Sequence, residues 1–71
     1  MNGVDELIFL VTEEPEGGLS ARALGESIFT EADDPEELRE QVRDAVRCHF
    51  NEADRPRLVR LHFVREDVIL V

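Results

Sequence analysis

Any chemistry in this chain would have to come from a few side chains. Cys48 and His49 are adjacent and His62 is the other histidine, residue types that hold a metal or form a thiolate–imidazole pair. Neighbouring helix residues point about 100° apart, and only His49 falls on the apolar face, so the pair does not readily grip one ion. The plainer reading is a partly buried histidine with one hydrogen bond to backbone, beside a cysteine packed as a small residue. The paired acids Glu13-Glu14, Asp33-Asp34 and Glu36-Glu37 are the types of a carboxylate dyad or a divalent-cation site. A turn and a helix cap account for them without chemistry. Arg39, Arg43 and Arg47 recur at i, i+4, i+8, a spacing that could grip phosphate or an acidic partner. Each has an acid three residues before it (Glu36, Glu40, Asp44), which favours a solvated face of ion pairs. Gly17-Gly18 is a turn and not a phosphate loop, for no lysine follows it. No catalytic residue, metal site or cofactor is expected, and an enzyme is the last of the readings.

The elements that must position these residues are led by one helix, Asp34 to Phe50. Asp34 is the expected N-cap, Pro35 falls at the first helical position, and Glu37 completes a D-x-x-E capping pattern. Asp33, Glu36 and Glu37 sit at the positive end of the dipole. Leu38, Val42, Ala45, Val46, His49, Phe50 and Ala53 share one face; Glu40, Arg43, Asp44, Arg47 and Asn51 lie opposite. Arg55-Pro56 stops the run.

Four strands surround it in sequence. Val4 to Thr12 is apolar on both faces, with Leu7, Phe9 and Val11 on one and Ile8 and Leu10 on the other, as a central strand should be. A Gly17-Gly18 turn leads to Leu19–Leu24, and Gly25-Glu26 leads to a short, polar edge strand, Ser27–Ala32. After the helix, Arg57–Arg65 puts Val59, Leu61 and Phe63 on one side and Arg60, His62 and Val64 on the other. A strand–helix–strand crossover permits parallel pairing with the first strand. The expected fold is a single α+β domain over residues 1–71, β-β-β-α-β, with a mixed four-stranded sheet in order 3-2-1-4 and the helix on one face. The apolar tail Val68–Val71 either folds back as a fifth strand or pairs with another chain.

A chain of 71 residues buries a small share of its surface and usually needs help from a metal, disulfides or a partner. One cysteine excludes an internal disulfide and fits a reducing compartment. No transmembrane-length run or signal peptide is evident, so a soluble cytoplasmic protein without membrane contact is expected. The net charge of −9 disfavours direct nucleic-acid binding. Eleven acids and one base fall in residues 1–37, against six acids and seven arginines in 38–71. That asymmetry suits an acidic half meeting a basic partner, or ordinary solubility.

The segment Glu16-Gly17-Gly18-Leu19-Ser20-Ala21-Arg22-Ala23-Leu24 resembles the glycine turn and second strand of the HicB-like antitoxin domain. The run from Ile28 through Asp33-Asp34-Pro35 to Leu38 is similar to that family's next segment, a short strand entering an acidic helix cap. The likeness covers about residues 4–64 and rests on pattern. It implies a truncated RNase H-like or double-stranded-RNA-binding-like fold, dimers or tetramers, and pairing with a small basic toxin that cleaves messenger RNA. Such antitoxins usually continue into a DNA-binding segment, and none follows by Val71; Gly25-Glu26-Ser27 replaces a frequent Pro-Gly. Operator binding is therefore not expected.

Two functions follow as expectations. The first is a non-catalytic protein-contact domain, acting as a homodimer or tetramer, with Glu13, Glu14, Glu16 and Asp33 meeting a basic partner. One helix cannot cover both sheet faces, so Ile8, Leu10, Val64 and the tail residues Val68, Ile69, Leu70 and Val71 are expected at the self-association interface. The alternative is a regulatory module with a metabolite in the dimer groove, contacted by Arg60 and His62.

Overall fold

Alternating apolar side chains in the first strand set the sheet. The computed structural model describes residues 5–71; the expected start of strand one at Val4 lies outside them. β1 (Glu6–Glu13) is central, β2 (Leu19–Ala23) and β3 (Phe29–Ala32) follow antiparallel, and β4 (Leu58–Val64) runs parallel to β1. The order is β3-β2-β1-β4, and the single helix α1 (Pro35–His49) is the crossover between β3 and β4. This is the expected α+β arrangement. β3 begins two residues later than its composition suggests, yet Ile28 is buried and its carbonyl accepts from the Ala23 N–H.

The start of the helix forms as its residues dictate. The Asp34 carboxylate accepts from the Glu37 N–H at 2.8 Å, and Glu37 reaches back to the Asp33 N–H at 2.8 Å. The second bond goes to the residue before the cap, not to the cap itself. Asp34→Ala removes the acceptor from an exposed N-terminus and is expected to cost about 1 kcal/mol, read as a lowered urea midpoint.

The other end falls at Phe50, as expected, but Ala53 does not continue the apolar face and Arg55-Pro56 is not what stops the helix. Phe50 is extended (φ −112°, ψ 145°) and its N–H makes the last helical bond, to Val46. Ala53 therefore lies beyond the helix, in a turn closed by the Asp54 N–H to the Asn51 carbonyl. The backbone turn at Asn51–Asp54 replaces a further helical turn, so the helix stops well before Pro56.

The helix closes on the sheet face formed by Leu7, Phe9 and Val11 of β1 with Leu19, Ala21 and Ala23 of β2. Leu38, Val42 and Val46 are its buried residues. Alanines at 21 and 23 let the helix come close to β2, and it packs over β2 and β3 instead of β4. At the β1–β2 turn, Gly18 has φ +89° and a Cβ there would stand 3.1 Å from the Ala32 carbonyl oxygen. Both the dihedral and the space call for glycine.

The tail does not return to the sheet. Residues beyond Val64 form no strand, and Val68, Ile69, Leu70 and Val71 are all exposed. The radius of gyration is 13.8 Å, against about 11 Å for a compact domain of this length. No helix among the described residues is long and apolar enough to cross a membrane.

Candidate functional site

Because α1 leans towards β2 and β3, strand β4 lacks a lid. Val59 and Phe63, on the sheet face that the helix covers, are 37% and 50% exposed, while Leu61 is partly buried. Between β4 and α1 lies a groove of about 610 Å³. Its apolar lining includes Val42, Val46, Pro56, Val59, Leu61 and Phe63, with Leu58 at the start of β4. Arg39, Arg43 and Arg47 from the helix and Arg55 and Arg57 from the loop into β4 line it as well. Five of the chain's eight arginines thus meet at one groove of a strongly acidic protein.

The helical arginines depart from the solvated ladder that their spacing suggests. Of the three expected pairs, only Glu40–Arg43 closes among the described residues, at 3.3 Å and exposed on both sides. Arg39 and Arg47 are left to the groove. Arg55 Nε is buried and has no hydrogen-bond partner among the described residues, an uncommon state for a buried donor.

The acidic residues gather at another edge. Glu14 and Asp33 line one notch of about 290 Å³, joined by Glu31 and Glu37, which the sequence did not single out for this. The β2–β3 pairing brings the first turn beside the helix cap, so residues nearly twenty apart become neighbours. Glu14 is fixed there by the Ser20 hydroxyl, which donates to it at 2.6 Å, with Thr12 Oγ1 3.0 Å from Ser20 Oγ. Glu13 and Glu16 are exposed outside the notch.

Arg60 and His62 face away from the groove. The register places them beside Ile8 and Leu10, on the open sheet face with Val64. The structure therefore does not bring them to a cavity, because residue parity puts Val59, Leu61 and Phe63 on the groove side. Arg60 Nε donates to Glu6 on that open face. This bond and the attraction between the two charges hold the Glu6 carboxyl below its ordinary value and Arg60 above its own. Glu6 thus adds a little stability above the ordinary carboxylate range, lost as pH falls through its lowered value; exposure keeps it small. Ile8 and Leu10 are half-buried, so the open face is less apolar than the strand pattern suggests.

His49 is also placed differently from expectation. It is exposed, and its Nε2 lies 3.0 Å from a Glu26 carboxylate oxygen, not on backbone; its ring stands edge-on to Phe50. Cys48 is exposed. Among the described residues no three His, Cys, Asp or Glu side chains stand close enough to share a metal ion.

Comparison with known proteins gives two close relatives. The chain is 60% identical over 55 residues to a UPF0150 protein of Archaeoglobus fulgidus, covering 78% of this chain and 82% of the relative. It is 41% identical over 66 residues to a UPF0150 protein of Thermotoga maritima, covering 93% of each. No family model and no solved structure matches the chain.

Proposed function

The chain belongs to the UPF0150 family, and we propose that it is a non-catalytic contact domain that associates with itself and restrains a small basic partner. The observation that carries the reading is the missing lid over β4, which leaves Val59, Leu61 and Phe63 facing a groove on a domain with little core to spare. Covering each large apolar side chain there contributes about 1.5–3 kcal/mol, a substantial fraction of a small domain's margin. The resemblance to HicB-like antitoxin domains supports an RNA-cleaving toxin-like protein as the basic partner. The notch of Glu14, Glu31, Asp33 and Glu37 supplies the complementary charge.

Purification from the native host tests this. A small basic protein is expected to co-purify at low salt and to elute as salt rises. Glu14→Gln with Asp33→Asn should weaken its retention roughly tenfold, since two rim charges are lost. Glutamine keeps an acceptor for the Ser20 hydroxyl, so the turn survives. Retention of a small metabolite and no basic protein would favour the ligand-binding alternative and overturn this reading.

A further inference from the structure

The groove and the tail answer each other. The groove has an apolar lining with five arginines around it. The tail presents the acids Glu66 and Asp67 followed by four consecutive aliphatic residues, and it stands clear of its own domain. We propose that the groove between α1 and β4 receives the Glu66–Val71 segment of a second copy of this chain, reciprocally. The proposal rests on the self-association reading above and names the contact that makes it.

Three observations choose this occupant. The first is charge: carboxylates are what five clustered arginines take, and Arg55 Nε is a buried donor without an acceptor among the described residues. The second is the run Val68, Ile69, Leu70 and Val71, the most exposed large apolar residues described, matched to a groove carrying Leu61 and Phe63. The third is that the tail does not occupy the groove of its own domain. Residues beyond Val64 form no strand and Val68–Val71 stay exposed, although Asp67 would permit a turn there. A tail from a second copy reaches it in the extended form it already has. β4 is also the edge of the sheet, so the incoming segment can lie along a strand with free backbone groups.

Charge-swapped full-length chains test the pairing. Glu66→Arg with Asp67→Arg makes the tail basic; Arg43→Glu with Arg47→Glu makes the groove acidic. Each variant alone is expected to dimerise about tenfold or more weakly in sedimentation at moderate salt. An equimolar mixture should regain the dimer, since basic tail then meets acidic groove and acidic tail meets basic groove. Both variants remain net negative, so overall charge does not drive the mixing. Ile69→Asp with Leu70→Asp should weaken the dimer as well, and its exposed positions leave the fold untouched. A wild-type dimer that all three variants leave intact would overturn the tail-in-groove contact while self-association stands. A wild-type monomer would overturn both.

Discussion

Phe9→Ala is expected to lower the unfolding free energy by about 3–5 kcal/mol, the loss that follows from removing a fully enclosed aromatic ring. Phe9 is the largest side chain with no exposure, at the centre of the central strand. Its neighbours in register are Ala23 on β2 and Leu61 on β4, and small residues at 21 and 23 cannot swell to refill the space. A domain of this length has a total stability of roughly 4–11 kcal/mol, so one substitution removes much of it. Urea unfolding at fixed protein concentration measures the effect, because association adds its own concentration-dependent term. A loss below about 1 kcal/mol would mean that β1 is not the core strand described.

Phe63→Asp is the second large effect, and it falls on association more than on folding. Phe63 is half exposed in the monomer, on the groove side of β4. Replacing it forfeits the remaining half of its burial, about 1 kcal/mol, and places a carboxylate in an apolar contact at a further cost of about 2 kcal/mol, together weakening the dimer about 100-fold. The fold should lose about 1 kcal/mol, the burial Phe63 already has in the monomer, well short of the loss at Phe9. Phe29→Asp is the control. Phe29 is still more exposed (61%) but sits on β3, whose register with Arg22 puts it on the open face, away from the groove. Sedimentation of the two variants side by side separates the faces: equal losses would assign the interface to something broader than the groove.

The strand order and the parity of side chains were legible because they depend on local alternation. Leu7, Phe9 and Val11 against Ile8 and Leu10 suits a central strand, and β1 lies between β2 and β4, though only the first of those faces is covered within the chain. The helix cap was legible almost atom by atom, for Asp34, Pro35 and Glu37 act within one turn. The lateral position of α1 was not. It is set by how closely a helix can approach Ala21 and Ala23, a contact between segments that no spacing rule within either one reveals. The groove follows from that shift. Its signal in the sequence was a stripe, Arg39-Arg43-Arg47, together with Arg55 and Arg57 immediately before the apolar alternation of β4. Matching acids at i−3 made the stripe look paired, yet only Glu40 reaches its arginine. The acidic notch was half legible. Glu14 and Asp33 were chosen for their charge, whereas Glu31 and Glu37 join them only because β2 and β3 fold the turn against the cap.

Sedimentation of the intact wild-type chain across micromolar concentrations reaches the heart of the account. A concentration-dependent dimer or dimer of dimers is predicted, because β4 and the tail expose aliphatic and aromatic surface that the single helix leaves bare. A species that remains monomeric throughout, with Val68–Val71 still open to solvent, would contradict it.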